Sequence, residues 1–468
     1  MRFFNPLTIN ESIHKIRKMT KKEQAAELVW LLKQGPATAP ALVEALGISQ
    51  PTLSRLWKTI TDGVALGAGK ARRYALRRKI AGVAAPAPLF RVDATGQVSP
   101  AGQLDPLEGG FHALTNAGVT SYRLFQGMPF FLADLRPQGF LGRMEPGKHP
   151  ELDLPADILR WTPEQVLKYI ARRSEQAAGN LILGNESYAR YLAELPTLAR
   201  SLLPEDQRHE RYPAMAGHAM QGEPPGSSAG GEQPKFTAVL QRASAPAMIE
   251  HVIVKFSPPL DTPGGRRWGD LLLCEHLALA VLARHGIATA STAILEAGER
   301  VFLEVVRFDR SGLTGRLPMA TLSALDGDLG MLDQSWSAAA QELARLGQLP
   351  GDDVTTVEIL DLFGALIGNT DRHHGNLAVS WEFDRPYRLL PAYDMLPMLY
   401  RPNGHGEVVR REWLPNLGTQ LALRHLPHCA RMARQFWNEV LDDADISTAF
   451  KNDVARPHLA TLQALYPG

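Results

Sequence analysis

Asp371 and Asn376 have four residues between them in Ile367-Gly-Asn-Thr-Asp-Arg-His-His-Gly-Asn-Leu377, and Asp394 follows eighteen residues after Asn376. An Asp and an Asn at this spacing suit phosphoryl transfer: the Asp orients the attacking hydroxyl, and the Asn holds Mg²⁺. Asp394 ends the next apolar run, where a second metal-binding carboxylate belongs. Asp371, Asn376 and Asp394 are therefore the candidate catalytic residues. Asn376 and Asp394 are the candidate metal ligands, because Mg²⁺ favours oxygen donors. His373 and His374 bring zinc to mind, but adjacent histidines rarely reach one metal and no Cys or carboxylate stands at metal spacing. His373 is instead expected to fix the loop by hydrogen bonding.

These residues need elements to hold them. Val357 to Leu366 reads as an apolar helix that delivers the loop. Residues 377–381 and 387–390 read as a hairpin, with Asn376 at its start and Asp394 just past its end. Upstream, His251 to Phe256 alternates as a strand. Lys255 points opposite to Val254 and Phe256, and a Lys inside an apolar strand needs an anionic partner or an exit to water. Nucleotide phosphates and a helix Glu would serve. Glu275 is the candidate, in a helix from Trp268 to His285 closed by Gly286. Gly226 to Lys235 is a Gly/Ser loop before a strand, and Gly230, Gly231 and Lys235 could receive phosphates there. The strand Val301 to Val306 leads into Arg307 and Phe308, where adenine would meet a hinge. Taken singly, Lys255 also fits an edge-strand lysine and Glu275 a surface acid; their order and spacing favour the nucleotide reading.

The chain has 468 residues, 45% hydrophobic and 21% charged, with a net charge of +1. That suits a globular protein of several domains with no global electrostatic preference. Two cysteines, Cys274 and Cys429, exclude a disulfide framework and fit a reducing cytosol. No apolar run approaches the roughly 20 residues of a membrane span, and Met1 to Asn10 lacks a signal-peptide core. A cytoplasmic protein with no membrane partner is expected.

The N-terminal stretch carries its own signal. Lys15–Gln34, Ala39–Leu46 and Gln50 to about Thr61 read as helices. Gly47 marks the turn between the second and third. Val64 to Leu76 reads as a hairpin, or wing, with its tip at Gly67 to Lys70. Eight Lys or Arg residues fall between Arg55 and Lys79, with Asp62 as the single acid. Gln50, Thr52, Ser54, Arg55 and Lys58 would line the outer side of the third helix, with Lys70, Arg72 and Arg73 on the wing. A basic helix and wing together suit DNA, the helix in the major groove and the wing on phosphates. The plainer reading is a winged helix used for protein contacts. Ala84–Pro88 reads as a linker. Beyond it come short strand-like pieces (Leu89–Val92, Gln97-Val98, Tyr122–Gln126, Pro129–Leu132), a polar turn at Leu135–Arg143, and helical periods over Asp157–Arg173 and Tyr188–Leu203.

With these residues in view, the chain resembles the HipA family of serine/threonine kinase toxins, and most closely its stand-alone type with an N-terminal winged helix-turn-helix. The motifs that carry the resemblance are Gly368 to Asn376, Pro391-Ala-Tyr-Asp394, Arg307-Phe-Asp-Arg310 and Ser228-Ala-Gly-Gly-Glu-Gln-Pro-Lys235. It covers about residues 86–450. It implies an α+β, two-lobed protein-kinase-like fold with four parts. These are a winged helix (1–85), a small α/β subdomain (86–215), a nucleotide-binding lobe (216–310) and a mostly helical catalytic lobe (311–468). It also implies ATP and Mg²⁺ as cofactors, Asp371 as base, and Lys255 on the ATP phosphates. Glu275, Gly230, Gly231, Lys235, Arg307, Phe308 and His373 join that nucleotide set. Ser228 falls at the family's inactivating autophosphorylation serine. Val306 stands where family members often have Glu. The implied partners are ATP, a protein substrate, DNA through the N-terminal module, and an antitoxin. Two other readings stay open at this point: a small-molecule kinase, and a transcription regulator whose inactive kinase fold senses nucleotide.

Overall fold

The computed structural model describes residues 20–69, 72–118, 121–221, 233–243, 248–330, 335–382, 386–414 and 422–466. Lys70, Ser228, Gly230 and Gly231 lie outside them. The chain divides into two compact units: Met1–Lys79 with Asp105–Gly127, and Ile80–Leu104 with Met128–Gly468.

The first unit opens with α1 (Lys21–Lys33). Thr20 and Glu23 form a capping box there, Thr20 N donating to Glu23 at 2.7 Å. Next come β1 (Ala37–Thr38), α2 (Ala39–Leu46) and α3 (Gln50–Trp57). The hairpin β2 (Gly63–Leu66) and β3 (Arg73–Leu76) completes a sheet ordered β1-β3-β2. Leu28, Leu32, Leu42, Leu46, Leu53 and Leu56 meet Tyr74 and Leu76 in one core. Residue α3 ends on is Trp57, short of the expected Thr61, because the chain turns to carry Gly63 across the Trp57 ring; a Cβ at Gly63 would come within 2.6 Å of that ring. Gln50, Ser54, Arg55, Lys58, Arg72 and Arg73 are exposed, and Thr52 is half-buried.

The chain then runs through β4 (Ala87–Val92) and β5 (Val98–Pro106) to the hairpin β6 (Phe111–Asn116) and β7 (Tyr122–Gln126). This later hairpin shares a core with the earlier one: Ala113 and Leu107 pack with Val64, Leu66 and Ala75. Arg77 is bound to Asp105 at 2.7 Å in the same unit.

The second unit pairs β4 with β5 and with β8 (Leu181–Leu183). Between them lie α4 (Phe130–Ala133), α5 (Gly139–Arg143), α6 (Glu145–Lys148) and α7 (Pro163–Arg173). The stretch Pro129–Leu132, expected as a strand, is the start of α4, and the expected turn at Leu135–Arg143 contains α5. Short apolar runs do not distinguish strand from helix; here Phe131 stacks against Trp381, with ring centroids 5.5 Å apart. The period expected over Asp157–Arg173 is broken at Thr162, which caps α7 ahead of Pro163. Next, α8 (Asn185–Leu198) stops before Leu203, which instead pairs with Leu240 in a strand.

The sheet that matters for function is ordered β12-β13-β11-β10-β9. Its strands are β9 (Leu203–Pro204), β10 (Lys235–Gln241), β11 (Ile249–Phe256), β12 (Thr292–Ala297) and β13 (Arg300–Val306). Two helices join it, α9 (Arg208–Gln221) and α10 (Pro263–Arg284). One face of the sheet carries Phe236, Val254, Phe256 and Phe302, covered by Tyr212 and Ala216 of α9. Buried Glu304 sits on β13 among them. It accepts from Arg208 and Tyr212 at 2.8 Å and from Arg242 at 3.1 Å, which is how a carboxylate survives there.

The remainder is mostly helical. It holds small strands β14 (Arg310–Ser311), β15 (Gly315–Arg316), β16 (Ala320–Thr321), β17 (Ala378–Ser380) and β18 (Arg388–Leu389). Its helices are α11 (Leu322–Leu329), α12 (Trp336–Arg345), α13 (Gly351–Ile367), α14 (Leu426–Asp442), α15 (Thr448–Phe450) and α16 (Arg456–Leu465). Strands β17 and β18 pair as expected from sequence. Among the described residues, no helix is long and apolar enough to cross a membrane.

Candidate active site

Period-two alternation on β11 sends Val254 and Phe256 into the apolar core and Lys255 to the other face. There Lys255, 5% exposed, meets Glu275, 0% exposed, in the middle of α10. The Lys255 Nζ donates to both Glu275 oxygens at 2.7 Å and also to Asp394. Thr262 starts α10 by accepting from Gly265 N at 3.0 Å, with Pro263 in the first turn; Gly286 (φ 80°) ends it. These caps set the register that puts Glu275 opposite Lys255.

Burial alone would lower the pKa of Lys255, but the carboxylates of Asp394 and Glu275 outweigh it and hold the ammonium charged well above its ordinary range. Burial likewise opposes ionisation of Asp394; Lys255 and then Lys235 overcome it, and the carboxyl titrates below its usual value. Burial raises the Glu275 carboxyl, and its two contacts with Lys255 hold that rise back. Lys235 lies directly opposite Lys255 in the β10–β11 register. Directly opposed residues of an antiparallel pair share a face, and like charges there are unfavourable. This face gathers two cations beside two acids.

The loop bearing Asp371 leaves α13 through Gly368, whose φ of 83° favours glycine. Fully buried Asn369 then ties two loops together. Its Oδ1 accepts from Asp371 N at 2.9 Å, and its Nδ2 donates to Asp394 O at 3.4 Å. Asn376 Nδ2 donates to Asp371 O at 3.0 Å, so the oxygen is the amide atom suited to a cation. Arg372 bonds Asp361 at 3.0 Å, and Asp361 accepts from Ser337 N and Oγ at 3.0 and 2.9 Å. Trp336 Nε1 donates to His373 O at 3.0 Å, and Tyr393 OH to Gly375 O at 2.8 Å. His373 Nδ1 accepts from Gly375 N at 3.0 Å, the loop-fixing bond expected of it. The Asp371 side chain is 44% exposed, open to an incoming substrate.

Asp394 sits in the left-handed region at φ 53°, unusual for a non-glycine residue. Two residues earlier, Ala392 N donates to Ala288 O and Ala392 O accepts from Ala290 N, both at 2.9 Å. The segment after α10 thus anchors the strand that delivers Asp394.

The Arg307–Arg310 run makes contacts that its place in the sequence did not suggest. Phe308 packs near Tyr393, ring centroids 5.6 Å apart. The Arg307 guanidinium, however, is turned to Asp309, at 2.9 and 2.8 Å. Asp309 also accepts from Gly179 N at 2.9 Å, and Arg310 donates to Gly179 O and Ala177 O at 3.1 and 2.7 Å. The run clamps the 174–180 turn, with the Arg307 side chain on Asp309. Sequence reasoning missed Asn369, Asp361, Trp336 and Asp309. The one available signal for Asn369 was its place two residues before Asp371, where an Asn side chain bonds backbone two residues on.

The YjjJ-like toxin middle-domain family matches residues 83–192, and the HipA-like C-terminal domain family matches residues 227–451. The Escherichia coli K12 protein "Toxin YjjJ" is 37% identical over 434 residues, spanning 91% of this chain and 95% of that one. The chain belongs to the YjjJ-like, HipA-type toxin family. Among solved structures, the Shewanella oneidensis MR-1 toxin HipA, in a complex with HipB and operator DNA, has a TM-score of 0.48 at 16% identity; the match covers 87% of this chain and 96% of that one. The Helicobacter pylori proinflammatory kinase CtkA has 0.34 at 12%, covering 50% of this chain and 88% of that one. The HipA-type α+β fold is the one expected from the sequence. Lys255, Glu275, the Asp371 loop and Asp394 all lie inside the 227–451 match.

Two effects follow from these contacts. In this site, Asn369→Ala removes a side chain that bonds both loops. Phosphotransfer is expected to fall about 10- to 100-fold at unchanged nucleotide affinity, the scale of a misplaced catalytic group; rate and binding titration measure the two separately. The second concerns the clamp. Glu175 is 7% exposed, one of its oxygens is buried without a hydrogen bond, and burial pushes its carboxyl up to about 7 from the usual 4.5. An acid whose folded pKa is raised contributes stability that is complete below its unfolded pKa and lost as pH rises through the folded one. Stability should therefore drop by about 2 kcal/mol between pH 4.5 and 7 on this account. Denaturant titrations of wild type and Glu175→Gln across that range should show a flatter profile for the variant.

Proposed function

We propose that the protein is an ATP-dependent serine/threonine protein kinase acting as a toxin or growth regulator, with an N-terminal winged helix that binds DNA. The carrying observation is Lys255 bound to both Glu275 and Asp394, with Asn369 linking the Asp394 strand to the Asp371 loop. A Lys–Glu pair plus a metal-binding Asp and a substrate-orienting Asp are the parts kinases use.

The residues fit ATP and Mg²⁺. Asp394 is held anionic, and Asn376 offers an amide oxygen, a hard-donor pair suited to Mg²⁺. The opposed Lys235 and Lys255 make an anion favourable on that face. Bound Mg²⁺ would neutralise charge on the phosphates. Lys255 orients those phosphates, Glu275 and Asp394 orient Lys255, and Asp371 positions the substrate hydroxyl and takes its proton. Ser228, seven residues before Lys235, is proposed as a self-inactivating phosphorylation site. Phosphate there adds about −1.5 to −2 charge next to the ATP phosphates.

Labelled ATP incubated with the protein and a cell extract tests the reading. Label on Ser or Thr of a protein is expected. Label on metabolites alone, or none above the Asp371→Ala background, sinks it.

For DNA, Arg55 and Lys58 protrude from α3, and Arg72 and Arg73 lie at the wing. Lys58→Ala should weaken duplex binding uniformly across sequences and reduce the salt slope by about one unit. Fluorescence anisotropy over a range of salt concentrations measures this; an unchanged slope would remove Lys58 from the interface.

A further inference from the structure

A second polar cleft lies at the far end of β11 from the site above. Its walls include Gln176, Tyr191, Glu194, His251, Arg310 and Arg316; its enclosed space is about 20 Å³, and the rest of the cleft is open to solvent. His251 and Lys255 are four residues apart on β11, so the cleft lies about 13 Å along the strand from Lys255.

Its charges do not balance. Arg316 is 4% exposed and forms no ion pair with any described carboxylate. Its Nη2 donates to a backbone oxygen, Glu175 O, its guanidinium lies 4.8 Å over the Tyr191 ring, and its Nη1 is buried with no hydrogen-bond partner. A buried guanidinium without a counter-ion is costly, and so is a buried N–H without an acceptor. Its neighbours add to the excess. Arg307 and Arg310 already share the single buried carboxylate of Asp309. Glu194, at the cleft wall, accepts from the Gln176 amide and forms no ion pair with Arg316. Burial raises Glu175 to about 7, so its carboxyl is about half-ionised at pH 7. His251 donates from Nε2 to Leu313 O at 3.1 Å in its neutral form, because burial holds it down to about 4. Three guanidiniums therefore stand among Asp309, Glu194 and a half-ionised Glu175, and none of these carboxylates pairs with Arg316.

We propose that this cleft binds a small oxyanion of the phosphate or sulfate type, with Arg316 as its principal ligand. Guanidinium N–H groups match oxyanions in pairs. The Gln176 amide and the Tyr191 hydroxyl supply further donors, the latter now spent on Thr314 O at 3.3 Å. The same run of chain, residues 307–316, leaves the strand where adenine is expected. An anion here would thus stiffen the clamp between that strand and the 174–180 turn.

Inorganic phosphate at 10 mM, added to the full-length protein in a phosphate- and sulfate-free buffer at constant ionic strength, should raise the melting midpoint by about 2 °C. Arg316→Met should retain a cooperative melt and lose that rise. Selenate soaked into wild-type crystals should give an anomalous peak beside the Arg316 guanidinium. The soak locates the anion even if the variant does not fold. No rise in wild type means that water satisfies Arg316 and overturns the proposal. So does a rise that survives in Arg316→Met, or an anomalous signal confined to Lys235 and Lys255.

Discussion

Asp371→Ala should abolish measurable transfer while leaving the protein folded. The expected loss is about 10²- to 10⁴-fold in turnover, the range for removing a positioned general base. The Asp371 carboxylate is 44% exposed, and its contact within the loop is a 3.9 Å approach to the exposed His373 ring. The loop is held through backbone atoms instead: Asp371 N on Asn369, and Asp371 O receiving Asn376. Truncation should accordingly change stability by no more than about 0.5 kcal/mol. Turnover and a denaturation curve on the same preparation check both halves. A variant that keeps its stability and more than a tenth of its turnover would remove Asp371 from the chemistry.

Lys255→Met should damage both chemistry and fold. Lys255 is the cation for two acids, one of them fully buried. Removing one partner of a buried ion pair costs about 3–5 kcal/mol, because the remaining charge stays uncompensated. The pH dependence has a definite sign. Without Lys255, burial raises Glu275 further and the folded state binds the extra proton. Stability is then recovered at low pH and lost as pH rises through the raised pKa. Melts at pH 5.5 and 8 should diverge more for the variant than for wild type. Adding Glu275→Leu should restore much of the stability, since an apolar pair can replace a buried ion pair, and should restore no transfer. Recovery of activity in that double variant would show that the pair is scaffolding alone.

Much of the site was legible in the chain because its parts are local. The four-residue gap between Asp371 and Asn376 fixes which groups one loop can present. Alternation on β11 fixes that Lys255 faces away from Val254. The 3.6-residue period from Trp268 to His285, with Gly286 after it, fixes a helix with Glu275 inside. The hairpin that returns to Asp394 follows from two apolar runs and the turn between them.

Other features depend on contacts far apart in sequence. Three of the six residues that bind Asp309 and Glu304 lie over 90 positions away in sequence: Gly179, Arg208 and Tyr212. No spacing rule predicts such meetings. Asp309 illustrates the consequence: it binds Arg307, two residues away, together with Gly179 N, 130 residues away. Pro129–Leu132 became a helix because its apolar rings had Trp381 to pack on, and a short run carries no period of its own. Residues 105–127 joined the first compact unit because Ala113 and Leu107 found Val64 and Leu66. The sequence by itself determined which side chains could carry phosphoryl chemistry and in which elements they lie. Only the tertiary structure decided that Lys255 holds two acids at once, that Asn369 ties the two loops together, and that Arg316 is buried without a counter-charge. Those outcomes depend on which groups share a buried volume, and burial is set by the whole fold.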